Sequence, residues 1–113
     1  MRGVADPPGI FGALASPVRR EILSLLLGGP QPVNRLAAHF EMTRPSVSEH
    51  LRVLLEAGLV DQTRSGRQRL YELRPEPLAQ LRDWLHPYER FWRTKLRTLH
   101  QMLDEEDVEE SDG

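Results

Sequence analysis

Residues 43–58, Thr-Arg-Pro-Ser-Val-Ser-Glu-His-Leu-Arg-Val-Leu-Leu-Glu-Ala-Gly, leave the chain few ways to fold. Thr43 has the hydroxyl that accepts an orphan N–H at a helix start, and Pro45 stands in the first turn, where a missing donor costs little. Gly58 closes the stretch because it takes positive φ cheaply. Between these limits Val47, Leu51, Leu54 and Leu55 recur at steps of three and four, the period of one buried helical face. The core leaves Arg44, Ser46, Ser48, Glu49, His50 and Arg52 uncommitted, crowded toward the N-terminal turns. A cationic, hydroxyl-bearing leading edge of this kind suits a helix that enters the DNA major groove.

The segments on either side support that reading. Met1–Gly9, with two prolines and two glycines, is expected to be flexible. Ile10, Phe11, Leu14 and Ala15 then form a short apolar stripe for a first helix, packed on its neighbours or on a partner subunit. Ser16-Pro17 supplies a cap and a first helical residue, and Val18, Ile22, Leu25 and Leu26 give a core face until Gly28-Gly29 stops it. Arg19 and Arg20 fall on the polar side, read as a solvated face in preference to phosphate contacts. Pro30-Gln-Pro32 reads as a connector, and Leu36, Ala37 and Phe40 fit a third helix from about Val33 to Phe40. Two short helices joined by Glu41-Met42, the second with a polar leading edge, make a helix-turn-helix.

Beyond it, residues 59–63 and 69–73 alternate around a turn at Gly66, which predicts a β-hairpin whose tip carries Arg64, Arg67 and Arg69. Such a tip is either plain surface charge or, the reading preferred here, a wing lying against phosphates or in a minor groove. From Pro75 a helical period runs to about Leu103 through Leu78, Leu81, Leu85, Tyr88, Trp92, Leu96 and Leu99, with a kink expected at Pro87. Trp84, Phe91 and Met102 widen the stripe. It is read as a dimer interface made by Trp84, Leu85, Tyr88, Phe91, Trp92, Leu96, Leu99 and Leu103 together with Ile10, Phe11 and Leu14 of the first helix. An extra-thick monomer core and a small-ligand pocket are the alternatives.

A length of 113 residues with 39% hydrophobic content fits one core. The net charge of −2 conceals a segregation: residues 104–113 hold 7 of the 17 acidic residues and no basic one, so residues 1–103 carry 15 Lys and Arg against 10 Asp and Glu, a net of +5. The acidic end is expected to be a disordered, solvated tail, and less often a competitor for a cationic surface. With no cysteine the chain forms no disulfide or thiolate metal site, which fits a reducing compartment. No apolar run approaches the roughly 20 residues of a membrane span, and the N-terminus lacks a signal-peptide layout, so a cytoplasmic location is expected. There is no cysteine nucleophile, no Gly-rich phosphate loop and no isolated carboxylate pair, so neither enzymatic activity nor a cofactor is expected.

Together Leu14-Ala-Ser-Pro-Val-Arg-Arg-Glu-Ile-Leu23, Ser46-Val-Ser-Glu-His-Leu-Arg-Val-Leu54 and Glu56-Ala-Gly-Leu-Val60 resemble the ArsR family of bacterial winged-helix repressors, over about residues 10–103. The stretch from Trp84 through Tyr88 to Phe91-Trp92 is similar to a subgroup without metal ligands. The resemblance implies a mostly α fold with a small β-hairpin, a winged helix-turn-helix that dimerises through its first and last helices. It further implies a repressor that sets two recognition helices in successive major grooves of a pseudo-palindromic operator. The recognition residues carried over are Arg44, Ser46, Ser48, Glu49 and His50, flanked by Thr43, Pro45 and Arg52; the wing residues are Arg64, Gly66, Arg67 and Arg69. Glu49 suits either a cytosine amino group or the orientation of Arg52. Many relatives sense metals, but Val33-Asn-Arg-Leu36 stands where their paired cysteines lie, and Asp83, His86, His100 and Asp104 are spaced unlike a zinc sensor's ligands, so no metal is expected. A module of the same fold that binds protein in place of DNA is the alternative, drawn from the acidic end and the aromatic stripe. No effector ligand is specified by these residues.

Overall fold

Ile22, Leu36, Val47, Leu51, Leu54, Leu59 and Val60 are fully buried, drawn from α-helices, the start of a strand and the turn between them, and within the longest contributor Val47, Leu51 and Leu54 recur at steps of four and three. In a computed structural model of the chain, residues 9–112 are described, their side chains as far as Glu106. The expected flexible stretch before Gly9 lies outside the described residues. The chain divides into two units, Met1–Ala79 and Gln80–Gly113.

The first unit holds α1 (Ile10–Leu14), α2 (Pro17–Leu25) with a 3₁₀ turn at Leu26–Gly28, β1 (Gln31–Pro32), α3 (Val33–Ala37), α4 (Arg44–Glu56), β2 (Val60–Ser65) and β3 (Gln68–Leu73), and it contains the start of α5 (Pro75–Asp112). Local chemistry sets the helix ends. The Ser16 hydroxyl accepts from the Arg19 amide at 3.3 Å with Pro17 at the first position of α2, and Thr43 accepts from the Ser46 amide at 3.2 Å at the start of α4. At the other end of α4, Gly58 takes φ 78° while its amide reaches the Leu55 carbonyl and the Leu59 amide reaches the Leu54 carbonyl, both at 3.0 Å. That pair of bonds is a Schellman closure, and the buried Leu54 and Leu59 are its apolar partners.

Two expectations need correction. Pro30-Gln-Pro32 is more than a connector: Gln31 pairs with Tyr71 and Pro32 with Leu70, making an antiparallel sheet in the order β1-β3-β2. Pro32 is tolerated because it lies on an edge strand, where a missing amide breaks no interior ladder. The third helix stops at Ala37, short of Phe40, because the His39 and Phe40 amides bond three residues back, to Leu36 and Ala37, at 3.1 Å. This tighter winding returns Phe40 and Met42 to the core.

In the second unit α5 continues without interruption to Asp112. It passes through Pro87, which has no amide to give the Asp83 carbonyl. The backbone stays helical through the acidic run as far as Asp112, since no proline or glycine falls between Tyr88 and Asp112 to stop a helix already propagating. Trp84, Tyr88, Phe91 and Trp92 are each more than half exposed, and Leu99, Met102 and Leu103 extend the same apolar line. The Trp84 and Tyr88 rings stack obliquely with centroids 4.9 Å apart, and Lys95 Nζ lies 5.4 Å from the Phe91 centroid. Among the described residues no helix is long and apolar enough to cross a membrane.

Leu51 is fully enclosed on α4. Leu51→Ala is expected to lower the unfolding free energy by about 2–5 kcal/mol, read from urea melts as a lower midpoint.

Candidate nucleic-acid interface

Because α4 buries Val47, Leu51 and Leu54, helical geometry sends its other residues to defined flanks. Arg44 and Ser48 fall on one side of the buried line, Ser46 and His50 on the other, and Pro45, Glu49, Arg52 and Glu56 opposite it. Thr43, Arg44, Pro45, Ser46 and Ser48 are all exposed. Thr43 also donates to Ser46 Oγ at 2.9 Å, so two hydroxyls at the helix tip already share one bond.

The wing is tighter than its sequence implied. Ser65 pairs with Gln68, leaving only Gly66-Arg67 as the loop. Gly66 has φ 63° and among the described residues no non-glycine residue has positive φ, the pattern of a type II′ turn. Alternation then sorts the hairpin's charges by face. Val60, Gln62 and Arg64 share a face with Leu73, Tyr71 and Arg69, their register partners, while Asp61 and Glu72 sit opposite each other on the reverse face. Gln62 Nε2 donates to Tyr71 Oη at 3.0 Å on the first face, and Arg74 Nε lies 3.6 Å from Asp61 Oδ2.

A groove of about 350 Å³ opens between α4, the start of α3 and the wing, and Arg44, Ser48, Asn34, Arg67, Gln68 and Arg69 line it. Among the described residues no carboxylate lines it. Among the described residues Arg44, Arg64, Arg67 and Arg69 make no ion pair and no side-chain hydrogen bond. Arg64 and Arg69 are direct cross-strand partners, a like-charge pair that weakens the sheet when nothing anionic lies against it. Donors and cations converge on this groove, which can accept a phosphate or the acceptor edge of a base.

Three other predicted recognition residues are engaged within the chain. Arg52 Nε donates to Glu49 Oε2 at 3.1 Å, and its guanidinium also pairs with Glu56. The hydrogen bond from Arg52 holds the Glu49 carboxyl below the ordinary carboxylate range and raises the guanidinium's own pKa. Of the two roles expected for Glu49, the orientation of Arg52 is the one these bonds display. His50 is half-buried, and its Nδ1 lies 3.2 Å from Arg19 Nη1. Arg20 is exposed, as the solvated-face reading has it, and its Nη1 also donates to the Leu14 carbonyl at 2.8 Å, whereas Arg19 is half-buried and its Nε donates to the Ala13 carbonyl at 2.7 Å.

The sequence reading missed Asn34 and Gln68 as groove-lining residues. Their only early signal is position, at the start of a helix and beside the turn glycine. The residues assigned to a dimer interface divide between surroundings. Ile10 and Leu14 pack on the core of the first unit, Phe11 is 44% exposed, and Leu85, Tyr88, Phe91 and Trp92 border a shallow apolar recess on α5. Among the described residues no three histidine, aspartate or glutamate side chains gather as a metal-binding group.

Comparison with known proteins bears on this geometry. A family model described as bacterial regulatory protein, arsR family, matches residues 16–62, which span the interval from the cap of α2 into β2. The HTH-type transcriptional regulator Rv2034 of Mycobacterium tuberculosis is 41% identical over 101 residues, covering 89% of this chain and 92% of that protein. The transcriptional repressor SdpR of Bacillus subtilis is 36% identical over 76 residues, covering 67% and 84%. Among solved structures, the homodimeric winged helix-turn-helix DNA-binding domain of a possible ArsR-family regulator from Mycobacterium bovis superposes with a TM-score of 0.58 at 30% identity, covering 71% of this chain and 74% of that one.

The cap at Thr43 holds the turn that presents Arg44 and Ser46. Thr43→Ala is expected to lower stability by about 1 kcal/mol, seen as a reduced urea midpoint at unchanged slope; an unaltered midpoint would show that the hydroxyl carries no weight.

Proposed function

The chain belongs to the ArsR family of bacterial regulatory proteins, and we propose that it represses transcription as a symmetric dimer, laying the groove between α4 and its wing against duplex DNA. It is a DNA-binding transcriptional regulator with a winged helix-turn-helix fold and not an enzyme. The observation that carries the finer reading is the set of four guanidinium groups, Arg44, Arg64, Arg67 and Arg69, with no protein partner among the described residues. Left in water they repel one another; against a polyanion each displaces a counterion.

The four divide by role. Arg44 stands in the first turn of α4, where a rigid fork of donors suits the O6 and N7 atoms of a guanine. Ser46 and Ser48 are short hydroxyls beside it and suit phosphates or base edges. Arg67 at the turn, with Arg64 and Arg69 behind it, suits phosphates or a narrow minor groove. Glu49 and Arg52 neutralise each other on the outermost line of α4, so Glu49 does not present an uncompensated negative charge to the duplex.

Two copies are needed because one recognition helix reads only a few base pairs. The exposed aromatic line of α5 is the surface we assign to the second copy, in keeping with the homodimeric relative from Mycobacterium bovis. Two-fold symmetry then implies a pseudo-palindromic operator with half-sites about 34–36 Å apart. The repressor name of the Bacillus subtilis relative supports occlusion of a promoter as the outcome, in the cytoplasm where such DNA lies.

Binding to the selected duplex is expected to weaken linearly in log–log form with salt, at about −0.9 per phosphate neutralised, measured by fluorescence anisotropy. A flat salt response, or equal affinity for random duplex, would sink the reading. Arg67→Ala is expected to weaken all sequences alike and to lower the slope by about 2 for the two copies in a dimer, whereas Arg44→Ala relaxes base preference by about 1–3 kcal/mol at one position. Trp92→Glu is expected to shift sedimentation from dimer to monomer; a dimer that survives the charge would place the interface elsewhere.

A further inference from the structure

Arg19 has three donors in use and none of them points at the groove. Its Nε reaches the Ala13 carbonyl at 2.7 Å, its Nη2 the Gly12 carbonyl at 3.2 Å, and its Nη1 lies 3.2 Å from His50 Nδ1. The first bond answers a local need: the residue four beyond Ala13 is Pro17, which has no amide, so the carbonyl at the end of α1 would otherwise lack a helical partner. The guanidinium is thus fixed at its root by α2 and at its edge by the end of α1. A guanidinium only donates, so His50 Nδ1 is the acceptor and the ring proton lies on Nε2.

His50 belongs to the second turn of α4, one turn beyond Ser46. The buried line of Val47, Leu51 and Leu54 keeps α4 from leaving the core, but one apolar line opposes rotation about itself weakly. His50 lies about 60° to one side of that line, on the flank away from the groove, where a directional, charge-assisted bond resists rolling. A roll of the helix displaces Arg44 and Ser48 on the other flank together.

We infer that Arg19 is a positioning residue for base discrimination: through His50 it sets the roll of α4 and so the aim of Arg44 and Ser48. This rests on the reading that α4 faces DNA. Discrimination, more than total affinity, depends on the link, because phosphate contacts tolerate a small rotation better than paired hydrogen bonds to a base edge.

The test uses the full chain and two probes, the duplex that the wild-type chain selects from a randomised library and a mixed-sequence duplex, with the ratio of the two Kd values as readout. Arg19→Leu and His50→Leu are each expected to lower that ratio about tenfold, the scale of a hydrogen bond to a charged group. The double variant is expected to lose about tenfold as well, because both changes remove one link. His50→Asn, whose Oδ1 takes the place of Nδ1, is expected to stay within about twofold of wild type. Independent losses that multiply to about a hundredfold, or full discrimination in Arg19→Leu, would overturn the inference. So would His50→Asn failing as badly as His50→Leu, which would mean that the other ring nitrogen reads the DNA. Where Arg19→Leu fails to fold by circular dichroism, the two His50 variants decide. A wild-type chain that enriches no sequence would overturn the underlying reading itself, a result separate from any variant's behaviour.

Discussion

The burial of Val47, Leu51 and Leu54 along one side of α4 is the constraint from which the rest of the first unit follows. The same helix has to be a core element and a projecting edge, and only a single apolar line permits both. Its two ends are therefore fixed by local bonds that need little from the remainder of the chain, the Thr43 hydroxyl at the start and the Gly58–Leu59 closure at the finish. The closure has a second effect, because burying Leu59 against the core delivers the chain straight into β2 and sets where the wing begins.

The wing carries a conflict that its fold does not resolve. Arg64 faces Arg69 across the hairpin, and Asp61 faces Glu72 on the reverse side. A sheet selected for stability alone gains by exchanging one member of each pair, which would turn two repulsions into two attractions. The arrangement found instead separates the signs, so that the face continuous with the groove is cationic and the other is acidic. Arg74 near Asp61 relieves the acidic side. Among the described residues the cationic side has no such relief within the chain, and this asymmetry fits an anionic partner better than it fits a solvated surface.

What could be foreseen from sequence was what is decided within a few residues: the caps at Ser16 and Thr43, the stop at Gly58, the turn at Gly66 and the periods between them. What could not be foreseen depends on partners far away in the chain. Gln31-Pro32 has no strand pattern of its own and becomes β1 only because Tyr71 and Leu70 of β3 lie beside it. The contact of Arg19 with His50 joins residues 31 apart, and nothing in either neighbourhood signals it. The helical backbone of the acidic run follows from the uninterrupted helix before it, which composition does not register. The same holds for the recognition residues, whose bonds within the chain no local pattern signals. Glu49, His50 and Arg52 are as polar as Arg44 but already bonded inside the chain.

The isolated chain leaves two kinds of surface unsatisfied, and they call for different partners. Arginines without acceptors need an anion, and the gain there is largely release of counterions, hence sensitive to salt. An aromatic line on α5 needs apolar cover, and the gain there is removal of surface from water, on which salt has little hold. In a dimer joined through α5, as proposed, assembly and DNA binding would vary independently with conditions, so that the hold on the chromosome could be adjusted without loss of the dimer. A single surface serving both needs would tie the two together, so that any change loosening the protein from DNA would also pull the dimer apart.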